Sequence, residues 1–309
     1  LDPSWLVGSC VGGGLENSHW SSGEWLVVEA DESDRSMLSL HVDIAVLTNV
    51  ELDHHATFAS LAELREAFHE FLAGASEAVI WDRPELRELR EGPAVFYDVI
   101  ESRPREGGCA FDWREHEVRL AVPGAHNALN ALGALEAAVL AGAEERSAIA
   151  GLAGFTGAGR RFQLVGRTVR GARVYDDYAH HPTEVAATLA AARTFASERL
   201  VAVFQPHLYS RTALLAEEFG EALARADVIL LLDVYPARER AEDHPGVSGL
   251  TLVDSTRAHA GERPVLWKAS FDDAELALGE LLEDGDLCVV MGAGDVDALA
   301  RRLVDNDRV

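Results

Sequence analysis

Lysine is almost missing from this chain. Lys268 stands alone in 309 residues, so all but one of the 27 basic side chains are arginines. A phosphate contact made anywhere else must use a guanidinium or a backbone amide. Cysteine is scarce as well: Cys10, Cys109 and Cys288 are scattered, an odd number without metal-ligand spacing, which argues against a disulfide framework. No apolar run approaches the ~20 residues that span a bilayer, and no basic-plus-apolar leader opens the chain. A cytoplasmic protein is expected. The basic side chains face 52 acidic ones, and the net charge of −25 disfavours nonspecific binding to nucleic acid or an anionic membrane. The acidic excess itself reads as solvated helix faces.

Against these absences stands Asp176-Asp177-Tyr178-Ala179-His180-His181-Pro182-Thr183-Glu184, an unusual concentration of ionisable and metal-capable side chains. It follows the short strand signal Arg173-Val174-Tyr175 and precedes an Ala-rich helical stretch, with Pro182 and Thr183 as start signals. In a parallel α/β domain the loop leaving the carboxyl end of a strand is where ligands sit. A second such loop, Gln205-Pro206-His207-Leu208-Tyr209-Ser210-Arg211, follows the apolar strand Leu200–Phe204. If the two strands are neighbours, the loops converge on one pocket.

The length allows two cores, since domains usually hold ~100–200 residues. Strands are expected at 24–28, 44–48, 78–81 and 94–97, with helices at 60–72 and 84–89. Residues 100–122 alternate and contain Gly107-Gly108, which suggests a small antiparallel insertion, before helices at 127–141 and 146–152. Four glycines among residues 151–159 suit a hinge. Beyond it, strands near 164–169, 173–176, 200–204, 228–232, 264–267 and 287–291 alternate with helices. The fold class is therefore α/β, with two parallel-sheet domains at 1–159 and 160–309, their sheets covered by helices.

These motifs, in order, resemble the Mur ligases, over nearly the whole chain. Glu29-Ala30-Asp31-Glu32-Ser33-Asp34 resembles the family's acidic motif, and Thr48-Asn49-Val50-Glu51-Leu52-Asp53-His54 its magnesium-site strand end. Gly124-Ala125-His126-Asn127-Ala128-Leu129-Asn130 resembles the adenine-proximal loop and helix, and Gly157-Ala158-Gly159-Arg160-Arg161-Phe162 the junction of the central and last domains. The clusters around His180 and His207, then Asp233-Val234-Tyr235-Pro236-Ala237-Arg238-Glu239 and Met291-Gly292-Ala293-Gly294-Asp295, complete the series.

The resemblance implies a central ATPase-type domain followed by a Rossmann-like one. The activity implied is that of the L-alanine-adding branch: ATP-dependent ligation of L-alanine to UDP-N-acetylmuramate in peptidoglycan precursor synthesis, through an acyl phosphate. ATP and Mg2+ are the implied cofactors. Glu29 and His54, at predicted strand ends of one sheet, are the implied metal ligands, and carboxylate with retained water suits magnesium on nucleotide phosphates. Asp31, Glu32 and Asp34 read more simply as caps of the next helix. Asn127 and Asn130 are placed on the base and ribose side, although a helix cap also explains Asn127. Arg161 is implied at the phosphates, where a planar guanidinium suits bidentate contact; a solvated surface arginine is the plainer alternative. Asp177 is implied at the ribose, Tyr178 and His180 line the shared pocket, and His207 with Arg211 recognise L-alanine, Arg211 offering a fork to its carboxylate. The catalytic set is thus Glu29, His54, Arg161 and His180. Leu208 departs from relatives that carry arginine there. Gly292-Ala293-Gly294 is a weak nucleotide-loop signal and reads more simply as a tight strand-to-helix turn.

The family places a strand and a lysine-bearing phosphate loop before the segment that begins here at Leu1, and a UDP-binding domain before that. The sole lysine, Lys268, lies in the other domain. The sequence reads as an N-terminally incomplete ligase, expected to be inactive by itself. Two other functions fit the residues: a non-catalytic binding or structural fragment, and a metal-dependent hydrolase built from His54, His55, His180, His181 and His207, for which no zinc-type spacing exists.

Overall fold

The computed structural model describes residues 1–9, 11–12, 15–53, 57–98, 101–105, 107–196 and 198–305, divided into two units, Leu1–Thr156 and Gly157–Val309. The first unit runs β1 (Ser4–Leu6), β2 (Ser18–His19), β3 (Leu26–Val28), β4 (Ile44–Leu47), α1 (Leu61–Ala73), β5 (Glu77–Trp81), α2 (Pro84–Arg87), β6 (Ala94–Tyr97), β7 (Ser102–Arg105), β8 (Gly108–Trp113), β9 (His116–Leu120), α3 (Ala125–Leu140) and α4 (Glu145–Ala153). Its strands form three small sheets, β2-β1-β3, the parallel β4-β5-β6 and the antiparallel β7-β8-β9.

Ser60 starts α1 by accepting the Glu63 amide on its side chain, and Leu64, Ala67 and Leu72 turn inward at helical spacing. The run Ala78, Val79 and Ile80 is wholly buried, as befits the middle strand of a parallel sheet. α3 brings Ala128, Leu132 and Leu135 against Val79 and Tyr97 on one side and Phe111 and Val118 of the antiparallel insertion on the other.

One expectation fails here. The strands leading to Glu29 and toward His54 do not share a sheet: β3 pairs with β1, whereas β4 pairs with β5. β3 is three residues long and leaves Leu26 and Val27 exposed, so it makes no apolar face continuous with β4. Two short strands in the first twenty residues, β1 and β2, carried no periodic signal.

The second unit runs β10 (Gln163–Arg167), β11 (Arg173–Asp177), α5 (Pro182–Arg193), β12 (Leu200–Phe204), α6 (Tyr209–Leu214), α7 (Ala216–Leu223), β13 (Val228–Leu231), α8 (Gly249–Ala260), β14 (Val265–Trp267), α9 (Phe271–Leu281), β15 (Leu287–Met291) and α10 (Asp297–Asp305). One sheet holds all its strands in the order β10-β11-β15-β12-β13-β14, parallel except for β10. Alternation along the strands builds two cores. Leu200, Ala202 and Phe204 pack with Val185, Phe219 and Leu252 on one face. Val201 and Val203 pack with Leu278, Leu299 and Leu303 on the other. This is a doubly wound sheet with helices on both faces.

The strands carrying the two polar loops are not neighbours either, because β15 lies between β11 and β12 and pairs with both. The inner strands β12, β13 and β15 are alike as buried apolar runs, so sequence pattern does not reveal their order.

Candidate functional site

The carboxyl ends of β11, β15 and β12 stand side by side, with Met291 in register with both Asp177 and Phe204. The ladder continues one step further, Gly292 N donating to Asp177 O at 3.1 Å and Gln205 N to Met291 O at 3.0 Å. The β12–β13 pairing also outlasts its strands: Tyr235 N donates to Pro206 O at 2.8 Å and Leu208 N to Tyr235 O at 3.0 Å. The polar loops are therefore extensions of the sheet, and the insertion of β15 does not prevent their meeting. The His180 and His207 rings lie 6.1 Å apart.

In the β11 loop, Asp177 turns inward. It is 5% exposed and accepts from Phe162 N at 2.7 Å, Ala179 N at 2.8 Å and Thr188 Oγ1 at 3.1 Å. Burial pushes its carboxyl up to about 6, against the pull of these donors and Arg161. Its oxygens hold the loop together. Tyr178 stands at the turn, its amide bound to Arg160 O at 2.6 Å. His180 Nδ1 sits 3.0 Å from Tyr178 O and 3.4 Å from Glu184 Oε2, and its ring meets that of Tyr178 edge-on at 5.2 Å.

His181, not Thr183, caps α5, with Pro182 in the first turn as the sequence suggested. Glu184 closes the cap by accepting the amides of His180 and His181 at 3.0 and 3.1 Å. Burial raises its carboxyl, but the charge of His180, these amides and Arg161 outweigh that and hold it below the usual range.

In the β12 loop, His207 stacks on Tyr235 with centroids 5.7 Å apart, and its Nδ1 lies 3.3 Å from an Arg211 guanidinium nitrogen. Arg211 is 3% exposed, an arginine folded into the loop rather than a solvated one. Leu208 adopts φ 71° and buries its side chain. An arginine in this place would have to be buried or expelled. Leu208 supplies no side-chain cap to α6; Glu239 arrives from the β13 loop instead, accepting Ser210 N at 3.0 Å and Ser210 Oγ at 2.5 Å.

Of the two adjacent arginines, Arg161 was the one sequence reasoning chose. Its side chain is half exposed, 3.6 Å from Glu184 Oε1 and 5.5 Å over the Tyr178 ring. Arg160, which was missed, is far more engaged: its side chain reaches Asp176 Oδ2 at 3.2 Å, Gly294 O at 3.0 Å and Gly292 O at 2.7 Å. The doubled arginine in a glycine-rich junction was the available signal. The Gly292–Gly294 turn is required by its own neighbours. A Cβ on Gly294 would lie 2.6 Å from Gln205 Oε1 and from the Tyr235 ring, and Gly292 has φ 150°. The tight-turn reading explains these glycines.

In the first unit, Glu29 extends β3: its amide donates to Leu6 O at 3.0 Å, and its exposed carboxylate accepts Gly8 N at 2.5 Å. Asp31 and Asp34 accept the amides of Ser33 and Ser36, each at 2.8 Å, and so make Asx-type turns ahead of a short 3-10 turn at Ser36–Ser39, which itself has no side-chain cap. His54 and His55 lie outside the described residues. Asn127 is not the cap of α3, which is Gly124 at φ 100°. It folds back to donate to Pro123 O at 2.6 Å. Asn130, one turn on, is exposed. Among the described residues, no group of three or more His, Cys, Asp or Glu side chains is placed to hold a metal ion, and no helix is long and apolar enough to cross a membrane.

Both halves of the chain match known families: the Mur ligase middle domain over residues 21–138 and the Mur ligase, glutamate ligase domain over residues 160–294. The UDP-N-acetylmuramate–L-alanine ligase of Mycolicibacterium gilvum is 42% identical over 333 residues, covering 98% of this chain and 68% of that protein. Its namesake from Nocardia farcinica is 40% identical, covering 100% and 69%. Among solved structures, the UDP-N-acetylmuramate–alanine ligase of Thermotoga maritima matches with a TM-score of 0.80 at 22% identity, over 99% of this chain and 69% of that one. The MurF ligase of the same organism, in complex with ADP, matches with a TM-score of 0.74 at 17% identity, over 100% and 75%. At such identities the structural likeness speaks to the fold.

Proposed function

The chain belongs to the Mur ligase family, and on that premise we propose that it joins L-alanine to the carboxyl group of UDP-N-acetylmuramate, with ATP converted to ADP and phosphate, in peptidoglycan precursor synthesis. The observation that carries this reading is 42% identity, spanning 98% of the chain, to a relative named for that ligation. ATP supply places the reaction in the cytoplasm.

The muramyl carboxylate attacks the γ-phosphorus of ATP and ADP leaves; the amine of L-alanine then attacks the acyl carbon, and phosphate leaves as the amide forms. Both steps depend on positioning and on neutralising phosphate charge. Arg161, half exposed and adaptable, is suited to the phosphates. Tyr178 offers an aromatic face to the nucleotide, and Asn130 an exposed amide to its base or ribose, with Asn127 supporting the α3 entry from Pro123. Asp177 is assigned to holding the Tyr178–His180 loop.

Arg211 and His207 receive L-alanine, the guanidinium matching its carboxylate. The amine must lose a proton before it attacks. His180, its Nδ1 facing the Tyr178 carbonyl, takes that proton from its neutral form, and the imidazolium that results faces the Glu184 carboxylate.

Magnesium fits the residues present as a nucleotide-borne ion rather than as the occupant of a protein cage. It requires only one or two carboxylates when phosphates and water complete its shell, and Glu29 is an exposed carboxylate at a strand end, with His54 as a further candidate. The ion would supply charge neutralisation at the phosphates.

The test is ADP release by the gene product that carries this chain, supplied with ATP, Mg2+ and UDP-N-acetylmuramate. Release should require L-alanine, and the new amide should appear in step with ADP. Equal release with D-glutamate in its place would assign the chain to another amino acid.

A further inference from the structure

We infer that Arg160 is a positioning residue of this site: it fastens the Tyr178 turn at the end of β11 to the Gly292–Gly294 turn at the end of β15, and so sets the face that Tyr178 presents. The last clause rests on the assignment of Tyr178 to the nucleotide.

Both chains of atoms in Arg160 are used. Its backbone amide donates to Gln163 Oε1 at 3.0 Å, and its carbonyl accepts Tyr178 N at 2.6 Å. Its guanidinium spreads three bonds in three directions, to Asp176 Oδ2, Gly292 O and Gly294 O, and lies 5.1 Å over the Tyr178 ring. The residue adopts φ 57°, a left-handed conformation that persists in a non-glycine residue where surrounding contacts over-determine it. Only the planar fork of arginine makes this set of bonds; an ammonium is a single point with no fixed plane.

The turn it grips is held on its other side by the main chain, through Gly292 N to Asp177 O at 3.1 Å. Arg160 therefore completes a closed ring through residues 160, 176–178 and 292–294.

A second role has to be separated from this one. Asp176 is 5% exposed, its Oδ1 has no protein partner, and Arg160 is the donor to its Oδ2. Burial holds the Asp176 carboxyl above its ordinary range, with the charges of Arg160 and Arg301 opposing and that of Asp297 reinforcing. Arg160→Gln thus removes the fastening and also leaves a buried carboxylate without its counterion. The double variant Arg160→Gln/Asp176→Asn removes the fastening alone.

The experiment uses the gene product that carries this chain, in the form active in the assay above, and reads thermal unfolding, amide hydrogen exchange and ADP affinity by calorimetric titration. Arg160→Gln should lower the melting temperature and speed exchange at least tenfold in both segments 176–181 and 292–296, with β12 unchanged. The double variant should regain most of the melting temperature yet keep the fast exchange and bind ADP at least fivefold more weakly. Arg160→Lys should fall between wild type and Arg160→Gln. Return of exchange and ADP affinity to wild-type values in the double variant would overturn the inference and confine Arg160 to neutralising Asp176. Fast exchange in only one segment would also sink it. If the two segments respond together while wild type itself binds no ADP, the fastening stands and the nucleotide assignment of Tyr178 falls.

Discussion

The two units present their candidate residues in opposite states. In the second, the strand ends are bound into a lattice before any ligand arrives: Asp177 gathers three donors, Glu184 two amides and Glu239 both polar groups of Ser210. In the first, Glu29 is exposed and contacts one amide, and Asn130 is exposed. The sheets below them differ in the same sense. β12, β13 and β15 are buried at every residue, whereas Leu6, Leu26 and Val27 are more than half exposed. The lesson is a division of labour. The candidate carboxylates of the second unit have their geometry fixed by the fold, whereas the Glu29 carboxylate of the first is exposed and, on the function proposed above, is left for a nucleotide and its ion to organise.

The sharpest way to break this comparison is to remove one anchor from the second unit. Asp177→Ala orphans three donors, and at about 1–3 kcal/mol for a buried unsatisfied group the loss should reach roughly 3–5 kcal/mol, read by denaturant unfolding. A loss below about 1 kcal/mol would mean that the lattice is not what holds the loop.

The same residue sets a pH dependence. With its folded-state carboxyl raised to about 6, the folded chain keeps a proton that the unfolded chain has lost between about pH 4 and 6. This contribution to stability is therefore full below that window and declines as pH rises through it, by up to about 3 kcal/mol. The difference in unfolding free energy between wild type and Asp177→Asn should change by this amount from pH 4 to pH 6.5. A flat difference would place the titration elsewhere.

Arg211→Ala should raise KM for L-alanine ten- to a hundred-fold in the active gene product, about 1.4–2.8 kcal/mol, and leave KM for ATP nearly unchanged. Adding Leu208→Arg should not rescue it, since Leu208 is buried at a left-handed backbone position. If ATP weakens and L-alanine does not, the alanine assignment is wrong. The smallest effect belongs to the first unit: Glu29→Gln should alter stability by less than about 0.5 kcal/mol, while the Mg2+ concentration for half-maximal ADP release rises. An unchanged magnesium requirement would remove Glu29 from the metal.

Much of the fold was legible. Apolar runs at 200–204 and 287–291 became β12 and β15 with the same bounds, and the helix expected at 60–72 became α1. Strand order was not legible, because it is decided by pairing between distant segments of similar composition. Convergence of His180 and His207 was anticipated for the wrong reason, as adjacency of β11 and β12, and survives because the loops outreach β15. An acidic residue at a strand end reads as a ligand. That Asp177 faces inward depends on Phe162 and Thr188, which no local pattern links to it. Arg160 and Arg161 are alike by residue type, and only the fold separates the one that holds protein carbonyls from the one left half exposed.

The margins of the six-stranded sheet have a consequence for the behaviour of many copies of the chain together. β10 runs antiparallel to its neighbour and slips register between Leu164 and Gly166, and β14 offers only three residues before Lys268. A foreign strand laid along β10 would lose its hydrogen-bonding phase at the bulge, and one laid along β14 would run out of template. Fibrillar growth from this sheet is thus blocked at each border by geometry, independently of the electrostatic repulsion between copies.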